Sequence, residues 1–346
     1  MHSPAPSQKP FLSVLEGTAI RPAPLWLMRQ AGRYLPEYRK LRAQAADFLN
    51  FCFTPDLAIE ATLQPIRRYG LDAAILFSDI LTVPWGLGQR VEFIEGEGPQ
   101  LKPLRSASDV DSLQISGLTE RLSPVYKTVA GVAGALPPTT ALIGFAGAPW
   151  TVASYMVEGG GSKDFLVART FAYAEPAVFR RLIAILVDAT IDHLSAQIAA
   201  GAETVQLFDS WAGALSEDQF RKWVIAPTRA IVATLKARYP TVPVIGFPRG
   251  AGAMLTAYAH ETGVSAVGLD TQIPIAWAVD NLPPGFPIQG NLDPAALVVG
   301  GQALEDGVTH ILQQAGARPL IFNLGHGVPM NTPPDHVARL VELVRA

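Results

Sequence analysis

The sequence predicts a single closed (β/α)8 barrel. Three observations carry this: eight short apolar runs that each end on polar or glycine residues, helix-like stretches between the runs, and no G-x-G-x-x-G after the first run, as an open doubly wound sheet would favour. The runs, in order, are 25–28 (LWLM) before Arg29, 73–77 (AAILF) before Ser78-Asp79, and 141–145 (ALIGF) before Ala146-Gly147. They continue with 204–208 (TVQLF) before Asp209-Ser210, 244–247 (VIGF) before Pro248-Arg249-Gly250, and 265–269 (SAVGL) before Asp270. The last two are 287–289 (PIQ) before Gly290-Asn291 and 319–322 (PLIF) before Asn323-Leu324-Gly325-His326. Near-continuous apolar strands belong to a parallel sheet covered on both faces.

Helices are expected over 55–69, opened by Thr54-Pro55, and over 175–200, rich in Ala, Ile and Leu. Further helices fall at 216–236, opened by Ser216-Glu217-Asp218, and at 333–345, after Thr332. Between the second and third strands lies an insertion: a hairpin pairing 91–94 with 100–102 through Glu95-Gly96-Glu97-Gly98, then an amphipathic helix near 119–134. Residues 1–10 are polar and proline-rich and read as a flexible tail, which leaves 11–346 as one barrel domain.

Hydrophobic residues make up 49% of the 346 and charged residues 16%, enough for an extensive core and unlike a disordered chain. Lys and Arg number 27 against 30 Asp and Glu, so a net charge of -3 gives no general attraction to nucleic acid or acidic membranes. Any anion site is therefore local. Cys52 is the only cysteine, which excludes an internal disulfide and thiolate metal cages. With no signal-like N-terminus and no long charge-free apolar span, a soluble cytoplasmic protein is expected.

In such barrels the active site lies at the carboxyl ends of the strands. That filter selects Arg29, Arg33, Asp79, Tyr155, Asp209, Ser210, Arg249, Asp270, Asn291 and His326. Arg29-Gln30-Ala31-Gly32-Arg33, with Arg39 and Arg42 close behind, can converge on carboxylates or phosphates through forked hydrogen bonds, or be a solvated basic face. Asp79, flanked by apolar residues, can pair with Arg29 or Arg33, ligate a metal, or accept ligand N–H groups. Tyr155 can offer its hydroxyl to a ligand carboxylate or simply pack under a loop. His326 stands between glycines after the last strand, whereas His193, His260, His310 and His336 lie in helical stretches without metal-ligand spacing. Glu158-Gly159-Gly160-Gly161-Ser162-Lys163 lacks phosphate-loop spacing and is expected to be a mobile loop.

Taken together, Arg29 to Tyr38, Phe77-Ser78-Asp79-Ile80-Leu81, Gly147-Ala148-Pro149-Trp150-Thr151, Glu158 to Lys163, Phe208 to Gly213, Gly290-Asn291-Leu292-Asp293-Pro294 and Asn323 to Gly327 closely resemble the uroporphyrinogen decarboxylase family, in the expected order. The resemblance implies one distorted barrel, a homodimer, and no cofactor or metal. It also implies stepwise loss of four acetate carboxyls from uroporphyrinogen, giving coproporphyrinogen and CO2 on the way to haem or chlorophyll. Carried over by position, Asp79 would accept the pyrrole N–H groups, while Arg29, Arg33 and Arg42 would bind carboxylates. Tyr155, Ser210, His326 and the backbone of Ala31 would complete the pocket. Asp79 and Arg29 would be catalytic, Arg29 as proton donor, although a guanidinium is a weak acid.

Two other functions are weighed. A corrinoid-dependent methyltransferase of the same fold would need a zinc site of His and Cys ligands, for which the lone Cys52 is a poor start. A non-catalytic tetrapyrrole carrier would need the arginines but no Asp79.

Overall fold

The apolar runs become the staves of a parallel barrel in the computed structural model, which describes residues 9–94 and 96–346. The tail residues 1–8 and Glu95 of the expected hairpin turn lie outside the described residues, and Pro10 already opens a helix, Pro10–Leu15. The strands are β1 Ala73–Ile75, β2 Val91–Ile94, β3 Gly98–Leu101, β4 Ala141–Gly147, β5 Thr204–Asp209, β6 Val244–Pro248, β7 Ala266–Gly268, β8 Ile288–Leu292 and β9 Leu320–Leu324. Seven of them form one sheet in the order β1-β4-β5-β6-β7-β8-β9, every pairing parallel. The other two are the inserted hairpin, with Val91 opposite Leu101 and Ile94 opposite Gly98.

The first stave differs from expectation. Residues 25–28 do not form a strand and touch β9 through one bridge, Leu25 to Phe322. Pro22 and Pro24 lie just before the segment and have no N–H to extend the ladder toward its start. The segment still fills the gap between β9 and β1. Phe322 N–H donates to Pro24 O at 2.8 Å and Trp26 N–H to Phe322 O at 3.3 Å, while on the other side Asp72 N–H reaches Leu25 O at 3.0 Å. The Asp72 carboxylate accepts the remaining N–H of Leu25 at 2.9 Å.

Alternation sends every second side chain inward. Trp26, Met28, Ala73, Ile143, Ile245, Phe247 and Ile321 fill the lumen, and Phe11, Val14 and Leu15 of the first helix join the same cluster. Lys9 ties that helix to the entry ends of β4 and β5 by donating to Thr140 O and Glu203 Oε2. A polar chain crosses the lumen, from Trp26 Nε1–H to Gln289 Oε1 and from Gln289 Nε2–H to Gln206 Oε1.

Outside the sheet lie helices that include Pro55–Tyr69, Pro149–Glu158, Pro176–Ala199 and Pro334–Arg345. Pro176–Ala199 is long and apolar enough to cross a membrane, yet it packs on β4 and the helix Ala226–Arg238. Its buried Gln197 exchanges two 2.9 Å hydrogen bonds with the Phe145 backbone.

Two expected helices are interrupted. The 216–236 stretch becomes Glu217–Phe220, a π-turn over Arg221–Ile225, then Ala226–Arg238. Pro227 offers no N–H to the carbonyl of Trp223, and the widened turn sits just before it. The 119–134 stretch splits at Leu122 into Leu118–Arg121 and Ser123–Ala135, with Pro124 starting the second.

Candidate active site

The turn after the first stave is pegged from below by a side chain the sequence reading passed over. Gln30 is buried; its amide accepts from Leu27 N–H at 3.1 Å and donates to Ala73 O at 3.2 Å, and its carbonyl accepts the Tyr34 hydroxyl at 2.9 Å. With Gln30 fixed below, Arg29 turns outward at φ 59, a left-handed conformation that costs a non-glycine residue on the order of 1 kcal/mol. Its side chain stands exposed at the barrel mouth. Asn323, at the end of β9, holds the same turn by accepting Met28 N–H at 3.0 Å, and Val328 N–H reaches Met28 O at 2.8 Å.

Arg33 and Arg42 follow on the turn and on the helix Pro36–Arg42. Both guanidiniums lie near the Tyr38 hydroxyl, which burial and Cys52 push up and which Arg42 and Arg33 pull back. Arg39 is taken by structure, donating to Arg33 O and Tyr34 O. Among the described residues no carboxylate makes an ion pair with Arg29, Arg33, Arg42 or Arg249, whereas Arg67, Arg68, Arg221 and Arg339 on the outer surface are all paired. These four carry no carboxylate partner that a ligand anion would have to displace, although Arg42 also donates to Ala45 O at 3.0 Å.

Asp79 lies just past β1 and is half-buried. Its Oδ1 accepts Leu81 N–H at 2.8 Å, an Asx-type turn that fixes the carboxylate and leaves Oδ2 unengaged by any described residue. Burial pushes this carboxyl up from its ordinary value, opposed by the Leu81 bond and by Arg29. The pairing considered from sequence, Asp79 with Arg29 or Arg33, does not form. Neighbouring Ile80 packs where β4 has no side chain, since a Cβ on Gly147 would fall 2.9 Å from Ile80 Cβ. Aromatic rings line this wall, with Phe77 4.6 Å from Phe51 and 5.7 Å from Tyr38, centroid to centroid.

Opposite stand the residues that follow β4, β5 and β9. Tyr155 is on the helix Pro149–Glu158, its hydroxyl raised by burial, lowered by the Trp211 indole beside it, raised again by Asp79 and lowered by Arg29, so these groups share one space. Ser210 follows β5 and is half-buried. Next to it Trp211, which the strand-end filter missed, sets its ring 6.1 Å from Tyr155 and 4.7 Å from Phe165, with its indole N–H buried beside the Tyr155 hydroxyl. The signal available was a tryptophan directly after a strand end. Phe208, ringed by Phe145 and Phe247, lies beneath as an apolar floor.

His326 closes the ring of groups. Burial, then Arg29 and Arg249, push its imidazole down to about 4, against Asp270, so the side chain is neutral at pH 7. Its Nδ1 is buried and has no partner. The half-buried Ala31 lies in the Arg29 turn, where its backbone can approach a ligand.

Three residues selected by the strand-end filter turn elsewhere. Asp209 is buried and faces the helix layer, accepting the Thr151 hydroxyl at 2.5 Å. Asp270 accepts Gly250 N–H and Gln272 N–H, and Asn291 donates to Asp270 O and Ile273 O. They brace the mouth. The glycine-rich 158–163 segment is fastened at its start, with Leu101 N–H on Gly159 O at 2.9 Å and a bridge from Gln100 to Gly160. Cys52 is buried on the helix Phe48–Phe53, its thiol raised by burial, and among the described residues no three His, Cys, Asp or Glu side chains are grouped to hold a metal ion.

Comparison with known proteins fits this geometry. Residues 6–346 match the family model described as uroporphyrinogen decarboxylase (URO-D). A uroporphyrinogen decarboxylase of Rhodospirillum rubrum is 56% identical over 346 residues, covering 100% of this chain and 99% of that one. Another, from Granulibacter bethesdensis, is 56% identical over 340 residues, covering 97% and 99%. Among solved structures, a methyltransferase from Methanosarcina mazei superposes with a TM-score of 0.82 at 16% identity over 98% of each chain, which shows a shared fold alone.

Proposed function

Because the chain belongs to the uroporphyrinogen decarboxylase family, a family of carboxy-lyases in porphyrin biosynthesis, we propose that it strips the four acetate carboxyls of uroporphyrinogen one after another, with Asp79 as its electrostatic centre. The observation that carries this is the carboxylate at the mouth, tied through one oxygen to Leu81 N–H, unpaired, and surrounded by Arg29, Tyr155 and an apolar wall.

Losing CO2 from an acetate leaves an electron pair that must be delocalised. Protonating the ring carbon between the nitrogen and the acetate-bearing carbon makes the ring an iminium-type cation, and the C–C bond electrons then flow through the ring to its nitrogen as CO2 departs, leaving an exocyclic methylene. A second proton converts the exocyclic methylene to methyl while the first is lost from the ring, so one proton is consumed per CO2. The substrate is thus its own electron sink, and no cofactor or metal is required. Asp79 accepts the pyrrole N–H groups through its free oxygen and stabilises the cation as it forms. Arg33 and Arg42 bind carboxylates, Tyr155, Ser210, neutral His326 and the Ala31 backbone complete the pocket, and Arg29 delivers the proton. A guanidinium is too weak an acid to do so unaided, and the transfer runs through a water held on Arg29.

A soluble cytoplasmic homodimer fits this reading. Leu166 (56% exposed), Val167 (45%) and Tyr173 (61%) on the helix Leu166–Ala174 offer an apolar face to a second copy. Incubating the dialysed protein with uroporphyrinogen under anaerobic conditions tests the function. The expected result is seven-, six-, five- and then four-carboxylate products in succession; return of the octacarboxylate unchanged would identify a carrier instead.

A further inference from the structure

We propose that Thr151 and Asp209 form a clamp that sets Tyr155 and Ser210 as one unit, making both positioning residues for the decarboxylation. This rests on the pocket reading above and names what holds two of its walls together.

Tyr155 and Ser210 stand on different elements, the helix after β4 and the turn after β5. A ligand hydroxyl pair is useful only when the distance between its members is fixed, because geometric error at the reacting centre is costly. Thr151 lies four residues before Tyr155, hence on the same helix face. Its hydroxyl donates to buried Asp209 Oδ1 at 2.5 Å and accepts Trp211 N–H at 3.1 Å, so one oxygen engages both sides of Ser210. Trp150 Nε1–H adds a 2.9 Å bond to Trp211 O, and Ala148 N–H a 2.9 Å bond to Phe208 O. Asp209 extends the tie to the next strand end, since its carbonyl accepts Arg249 N–H at 3.1 Å. Thr151 and Asp209 themselves are both buried in the layer between sheet and helices.

An acidic side chain is a costly choice for a purely structural knot there. Its second oxygen, Oδ2, has no hydrogen-bond partner among the described residues. A packed apolar pair would hold helix to sheet without orphaned atoms. What the apolar pair would lack is direction: the carboxylate, the hydroxyl and the Trp211 N–H fix the rotation of the helix against the Ser210 turn.

The test is Thr151→Val, made in the wild-type chain and in a Tyr155→Phe, Ser210→Ala background, with KM and kcat for uroporphyrinogen and the thermal midpoint measured for each. The clamp predicts a KM raised about tenfold in the wild-type chain, the scale of one lost hydrogen-bonded tie, with recovery in Thr151→Ser, which keeps the hydroxyl. It also predicts no further rise in KM in the double background, where nothing is left to position. Equal effects in both backgrounds, or none in either, would overturn it. If the double background itself binds substrate like wild type, the pocket assignment falls together with the clamp, and a chain that yields no stepwise products defeats the functional reading beneath both.

Discussion

Arg29 lies across Gly327: a Cβ placed on that glycine would stand 2.4 Å from Arg29 Cδ and 2.7 Å from Cγ. The first and last strand ends therefore share one volume, and the guanidinium can point into the mouth only because residue 327 has no side chain. Gly327 is not among the glycines with positive φ, so alanine fits its backbone and must displace Arg29 instead. Gly327→Ala is expected to lower turnover roughly 10²-fold, the cost of misplacing a catalytic group by about 1 Å, and to shift the thermal midpoint only by about a few degrees. Steady-state kinetics beside a thermal melt check this.

Replacing Asp79 by asparagine keeps the shape and removes the charge. Turnover is expected to fall on the order of 10²–10³-fold, as for other preorganised electrostatic partners. The fold should be at least as stable, because burial penalises the carboxylate it replaces. Near-normal turnover in Asp79→Asn would reject the electrostatic role.

The pH profile separates the two titratable groups of the pocket. Burial raises the Asp79 carboxyl above its ordinary 3.8, so kcat/KM should fall as pH is lowered through a midpoint above that value, and Asp79→Asn should lose this limb. His326, pushed down to about 4 by burial first and then by Arg29 and Arg249, contributes no charge near neutrality. Its ring protons, followed by NMR, should titrate near 4; a midpoint near its ordinary 6.5 would contradict the neutral assignment.

Asp209 makes stability depend on pH in the opposite sense to most carboxylates. Burial holds it up to about 7 in the folded chain, against 3.8 when exposed, although Thr151 pulls it down. Between those values the folded state carries the extra proton, so its stabilising contribution is complete below about 4 and lost as pH rises to 7, on the order of 4 kcal/mol in all. The groups facing it, Thr151, Thr228 and Tyr258, carry no charge in that range. Asp209→Asn should be more stable than wild type in denaturant titrations at pH 7 to 8, and the advantage should vanish near pH 4. Parallel curves at both pH values would show that Asp209 is ionised throughout.

The barrel was legible because its strands are buried on both faces and end on polar residues, a pattern that depends only on local chain chemistry. The hairpin and the helices Pro55–Tyr69 and Pro176–Ala199 were readable for the same reason. Prolines defeated the pattern where it failed, since Pro22 and Pro24 unpair the first stave and Pro227 widens a turn. The site was only half legible. Strand-end position selects Asp79, Ser210 and His326 for the proposed pocket, but whether the last strand residue points inward or outward depends on strand length. Asp209 therefore looked like a pocket residue and lies behind the sheet. Gln30, Thr151 and Trp211 act through bonds to backbone atoms far along the chain, which no local pattern encodes.

The first stave carries a consequence for how a bulky macrocycle gets in. Wherever a closed ring has one joint with fewer fastenings than the others, thermal opening concentrates there. Here that joint leads into the turn that bears Arg29 and Arg33, so the cations proposed to meet the incoming carboxylates sit beside the seam with the fewest ladder bonds, on a turn that Gln30 and Asn323 hold in place. Amide exchange over residues 26–33 should outpace that of β5, and the central strands need not stir for a guest to pass.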